Sequence, residues 1–284
     1  MEISKAELTE VRPGRILFHR TEMLGSGRPK FQMLLMHGSC ASSSQYSGLL
    51  QAMAETLDQP IVCHLFDAIS CGKSPLVRDW KAYHTDQAVL DLKAILEQEM
   101  DTSLPTVLIA HSYAPTIIIR HMHRHGTPSN VKGFVFLSSG MSGDANPIRD
   151  GGHPIFRLPI IVLRFLQPSM TKSFLEAAYH PKTTGELIEE ASKSNSGNDM
   201  YMAKAYHTHH QWATKDECAA LHGLPVLGLH GRDDKILPAE AGQQLADFIK
   251  AKNFVKLEDT SHQVMEEKPM DVAQHIAAFM KEIK

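Results

Sequence analysis

Long apolar runs are missing from this sequence. No segment approaches the roughly 18 uninterrupted apolar residues that a spanning helix needs, so no integral membrane segment is expected. The first ten residues, MEISKAELTE, alternate charge with small apolar residues and lack the hydrophobic block of a secretory signal. Basic runs of five or more are missing too. The 29 basic and 32 acidic side chains give a formal net charge of -3, which offers no long-range attraction to nucleic acid or anionic lipid. Cysteine is sparse: Cys40, Cys63, Cys71 and Cys218 show no C-x-x-C spacing, so neither a zinc site nor a disulfide framework is indicated. Cytoplasmic residence is the expectation.

What is present is enough apolar residue, 43% over 284 positions, for one large core or a core plus an insertion. Short Val, Ile and Leu runs alternate with amphipathic stretches, and each run ends in Gly, Ser or Asp. That rhythm predicts strand then helix, and a mostly parallel sheet with both faces covered. The expected strands are 16–18, 31–36, 61–66, 106–110, 133–137, 226–229 and 255–258. Helices are expected over 44–56, 86–100, 113–125, 238–250 and 270–281. The alternation breaks after Gly140. From there to Leu224 only Pro-punctuated, helix-like pieces such as MTKSFLEAAYH follow. We read residues 1–140 and 225–284 as an α/β core and 141–224 as an inserted helical cap.

The sharpest local feature is VLIAHSYAPTIII, an apolar strand followed at once by a helix-like run. Ala110-His111-Ser112-Tyr113-Ala114 at the junction has the form small-x-Ser-x-small, a turn so tight that only small flanking side chains fit. The bland alternative is a serine that caps a helix. A serine hydroxyl is a weak nucleophile at neutral pH, so catalysis at Ser112 requires a base and an acid that orients it. Downstream, HGRDDKILP offers Asp233 or Asp234 just beyond a strand, and EDTSHQVMEEKP offers His262 beyond the last one. Ends of parallel strands share one rim of the sheet, which lets these distant residues meet. Of the seventeen histidines, position alone selects His262. The groups His121, His123, His125 and His207, His209, His210 are read as packing or surface residues, not metal ligands.

These motifs together resemble the α/β-hydrolase family. MHGS (36–39) is similar to its oxyanion loop, and FDAISCGKS (66–74) to the D-x-x-G-x-G-x-S loop, with Ser70 standing where the family has its first glycine. The HSYA elbow and the string after Ile155 are most similar to the subgroup of α/β-hydrolase domain-containing protein 8. The resemblance implies an eight-stranded, mostly parallel sheet with a helical cap. It selects Asp234 over Asp233, because three residues on from Gly231 falls on Asp234 and Pro238 lies four further. It assigns the backbone N–H groups of Ser39 and Tyr113 to the oxyanion hole, with His37 and Gly38 forming the substrate-facing loop, and leaves Asp67 a structural role.

The expected chemistry is hydrolysis of a carboxylic ester through an acyl-enzyme on Ser112, with His262 as base and Asp234 as its partner and with no metal or organic cofactor. A thioesterase, a lactonase or a carbon–carbon bond hydrolase could use the same residues, and a non-catalytic binding protein could share the fold. An epoxide hydrolase or dehalogenase would carry Asp at position 112. Cap residues Phe156, Met170, Phe174, Met202 and Trp212, with the stretch 155–166, are apolar enough to line a pocket for a medium or long acyl chain or a monoacylglycerol. The expected partner is that small-molecule ester, on a monomer or a homodimer. Cys40 and Cys71 are expected near the site mouth as small apolar filler.

Overall fold

Successive residues of each central strand serve opposite faces of the sheet, as the two-residue period requires. In β3 (Phe31–Met36), Leu34 packs on one side while Met33 and Leu35 pack on the other. β5 (Thr106–His111) and β6 (Val131–Leu137) repeat the pattern with Leu108, Phe134 and Phe136 against Val107, Ile109 and Val135. Each fully buried aliphatic side chain is worth about 1.5–3 kcal/mol, so a strand apolar on both faces is stable only with helices on both sides.

The computed structural model describes residues 2–283. Around β3, β5 and β6 stand β1 (Glu2–Arg12), β2 (Arg15–Leu24), β4 (Ile61–Asp67), β7 (Val226–Gly231) and β8 (Asn253–Leu257), in the sheet order β1-β2-β4-β3-β5-β6-β7-β8. β2 pairs antiparallel with β1 and β4, and the other pairs are parallel. One face is covered by α1 (Ser47–Thr56) together with α9 (Val264–Glu267) and α10 (Pro269–Glu282). The other is covered by α2 (Thr85–Gln98), α3 (Ala114–His125) and α8 (Ala239–Ile249).

Between β6 and β7 lie α4 (Ile160–Ala178), α5 (Gly185–Ser196), α6 (Met200–Thr208) and α7 (Lys215–Cys218), with no strand among them. The chain thus leaves the sheet after β6 and returns to pair beside the same strand.

The strand β1 lies outside the sequence expectation. It joins β2 through Pro13-Gly14, and the hairpin is pinned to α2 where Arg12 Nε and Arg15 Nε both donate to Asp91 at 2.7 Å. No helix among the described residues is long and apolar enough to cross a membrane.

Candidate active site

Ser112 follows β5 directly, and its φ of 58° lies in the left-handed region that non-glycine residues avoid at a cost of about 1–3 kcal/mol. The turn is held because the Ser112 amide donates to Leu137 O at 2.9 Å and α3 starts two residues later, with Pro115 in its first turn. Gly38 is required opposite: a Cβ there would stand 2.9 Å from His111 Nδ1 and 3.1 Å from Ser112 Cβ. The loop after β3 therefore lies directly against the elbow.

The loops after β7 and β8 meet just as closely. A side chain on Gly231 would overlap the carbonyl oxygen of Ser261. Bare backbone at that crossing brings Asp234 to His262, with Oδ2 2.7 Å from Nδ1. On the other side of the imidazole, Nε2 lies 3.1 Å from Ser112 Oγ. Since a carboxylate only accepts, Nδ1 carries the proton and Nε2 is left to receive the one on the serine hydroxyl. His262 and Asp234 are buried, whereas Ser112 is partly exposed and so reachable. Asp233 sits apart, 3.6 Å from His180 Nε2.

Burial alone would raise the Asp234 carboxyl pKa, but the facing imidazoles of His262 and His230 more than offset it and hold the group below the usual carboxylate range. Two backbone donors, Ile236 N and Leu237 N, also reach Oδ1, at 2.8 and 2.9 Å. Burial, reinforced by His262, pushes His111 well below the ordinary imidazole value and keeps it neutral. Its Nε2–H donates to the carbonyl of His262 at 3.1 Å. The amide of His262 in turn donates to Ala178 O, at the end of α4, at 3.0 Å. Ser261 Oγ bonds Ala177 O at 2.9 Å, and Glu267 accepts from the amides of His180 and Ser261. The His262 loop is thus fastened both to the elbow and to the helical insertion.

On the loop after β3, His37 Nδ1 donates to Gly38 O at 2.7 Å while Nε2 accepts from Ala68 N at 2.8 Å. Ser39 Oγ bonds His210 Nε2 at 2.7 Å, and the His210 ring stacks on Tyr113 with centroids 4.1 Å apart. Both residues assigned to the oxyanion hole are therefore held by one histidine from the insertion. Asp67 accepts from the amides of Ser43 and Lys73, and Ser70, with φ of 60°, is held by Tyr83 Oη and Val77 N.

The pocket residues named from sequence divide among several clusters. Phe156 and Met170 join Leu163 and Met200 beside Cys40, the neighbour of Ser39. Phe174 packs with Leu175, Tyr179 and Ile236, and Trp212 packs behind Tyr113 with Leu237. Met202 turns the opposite way on α6 from Met200 and is buried in the main core. Burial raises the Cys40 thiol to about 12 and pushes Cys71 well above the ordinary thiol value, so both stay protonated. A cleft of about 600 Å³ between α4 and α5 is lined by Leu175, Tyr179 and Ile188, and by none of Ser112, Asp234 and His262. Sequence alone assigns no role to His111 or His230 and reads His210 only as a packing or surface residue, because their roles depend on which loops fold together.

The family model for the alpha/beta hydrolase family matches residues 33–275. The chain belongs to that family. Protein ABHD8 of Mus musculus is 29% identical over 177 residues, which are 61% of this chain and 39% of that protein. The α/β hydrolase fold recurs in bromoperoxidase from Bacillus anthracis, with TM-score 0.76 and 16% identity over 98% of this chain and 100% of the other. It recurs in esterase RhEst1 from Rhodococcus sp. ECU1013, with TM-score 0.76 and 18% identity over the whole of both chains. At such identities the likeness is one of fold. Chemically, a partly exposed hydroxyl beside a buried, oriented imidazole can be deprotonated as it attacks an electrophilic carbon.

Proposed function

We propose that this member of the alpha/beta hydrolase family cleaves carboxylic esters through an acyl-enzyme on Ser112. The observation that carries the reading is the line Ser112 Oγ, His262 Nε2 and Nδ1, Asp234 Oδ2, with steps of 3.1 and 2.7 Å. Ser112 Oγ attacks the ester carbonyl while its proton passes to His262 Nε2. Asp234 stabilises the imidazolium through the Nδ1–H bond. The tetrahedral oxyanion is met by the backbone N–H groups of Ser39 and Tyr113, each such donor being worth roughly 10²- to 10³-fold in rate. Collapse expels the alcohol, which takes the proton from His262. Water, deprotonated by the same base, then releases the acid and restores Ser112.

Residues 141–224 act in this reading as a cap over the core of 1–140 and 225–284. Phe156, Leu163, Met170 and Met200, gathered beside Cys40, support an apolar acyl pocket reached from the Ser39 loop. Flexible Met linings suit a medium or long acyl chain or a monoacylglycerol. The test is a nitrophenyl ester series run on the wild type and Ser112→Ala. The reading expects turnover that rises from acetate to longer acyl groups and vanishes in the variant. A strong preference for acetate overturns the pocket assignment, and full activity in Ser112→Ala overturns the mechanism.

A further inference from the structure

Large exposed apolar side chains are unevenly placed on this protein. Leu158, Ile161, Val162 and Phe165 fall within eight residues, and Ile161 and Phe165 are 74% and 84% exposed. Ile161 and Phe165, four residues apart, and Val162 beside them form one stripe on the first turns of α4, and Leu158 lies in the extended backbone just before the helix. Leu163, on the other side of the same turn, is fully buried against Phe156 and Met200. The helix therefore already has its core-facing side, and the exposed stripe is a second apolar face. A cluster of this kind marks a surface that meets something apolar.

The charges beside the stripe indicate what that is. Residues 151–175 hold Arg157, Arg164 and Lys172 and no acidic residue. Neither Arg157 nor Arg164 pairs with a carboxylate among the described residues, although both are exposed. Lys204 adds a further cation at the edge, where its Nζ donates to Leu158 O at 2.6 Å. Two copies of this face brought together about a twofold axis would set unpaired arginines against arginines, with no carboxylate in the stretch to receive them. An anionic bilayer surface satisfies both features, with apolar side chains entering the acyl boundary and guanidinium groups reaching the phosphates.

We propose that the start of α4 docks this protein on anionic lipid membranes as a peripheral anchor. The formal net charge of -3 gives no attraction from the molecule as a whole, so the attachment is local, reversible and sensitive to salt. It is separate from the ester chemistry and stands or falls independently of Ser112.

The test is co-sedimentation of the full chain with phosphatidylcholine vesicles, with and without phosphatidylserine. The wild type is expected to pellet with the serine-containing vesicles and to be released by high salt. Ile161→Ser combined with Phe165→Ser should lower the bound fraction about tenfold at unchanged melting temperature, since both side chains lie on the surface. Arg157→Gln with Arg164→Gln should abolish the preference for phosphatidylserine. The proposal is overturned if the wild type stays in solution with anionic vesicles, or if the serine variant pellets as the wild type does. A wild-type dimer in light scattering that the same serine substitutions split also overturns it, because a second copy then covers the face.

Discussion

Nε2 of His111, the residue before Ser112, donates a hydrogen bond to the backbone carbonyl of His262 at 3.1 Å. The elbow thus holds the backbone of the residue whose side chain faces its own hydroxyl. Replacing His111 with Phe leaves that buried carbonyl without a donor, at a cost of about 1–3 kcal/mol in a urea unfolding measurement. Ester turnover should fall about tenfold or more through kcat, with KM little changed, because the His262 loop loses its register with Ser112. His111→Gln, whose amide can still donate, should recover part of the turnover, and a merely space-filling role for His111 would not give that recovery.

Asp234→Asn should keep the fold and lower kcat by about 10⁴, because the amide can hold the imidazole in the wrong tautomer. The same carboxyl sets an acid limit on stability. Its folded pKa is held below the unfolded value, so its contribution is complete above about pH 4 and is lost as pH falls through the depressed folded value. Melting temperatures should therefore drop more steeply below about pH 4 in the wild type than in Asp234→Asn.

Glu266 carries the opposite sign. Burial, with Glu267 nearby, pushes it up to about 7 although Tyr179 Oη donates to it at 2.6 Å. A raised folded pKa gives stability that is complete below the unfolded value of about 4.3 and is lost as pH rises through about 7. Wild-type protein should melt lower at pH 8 than at pH 5. Glu266→Gln, which mimics the protonated form, should lose most of that difference.

Gly231→Ala tests the crossing of the Asp234 and His262 loops. The added methyl overlaps Ser261 O and must push one loop away, at about 1–3 kcal/mol. Turnover should fall with stability in this variant. Gly14→Ala, in an open hairpin turn where no atom lies within 4 Å of the added methyl, should leave turnover unchanged.

The central strands were legible because apolar burial on both faces writes a continuous Val, Ile and Leu run, as in Thr106–His111. β1 was not: at the sheet edge its alternation of charge with Ala6, Leu8 and Val11 reads as surface. Pro13-Gly14 between two alternating stretches is the signal that marks this hairpin. Ser112, Asp234 and His262 could be named because each follows a strand and sits in a local motif. His210 against Ser39, and Ala178 O against His262 N, join segments 171 and 84 residues apart. Such contacts leave no local pattern, since any buried histidine or helix-end carbonyl has the same sequence signature. Asp233 and Asp234 illustrate the limit well: adjacent and alike in type, they end up facing His180 and His262 respectively.

The most direct measurement is reaction of the protein with a fluorophosphonate probe, followed by mass spectrometry of the modified peptide. The account predicts one adduct, on Ser112, formed in the wild type and slowed by orders of magnitude in His262→Ala. An unlabelled Ser112, or labelling that proceeds at the same rate without the His262 imidazole, would contradict it.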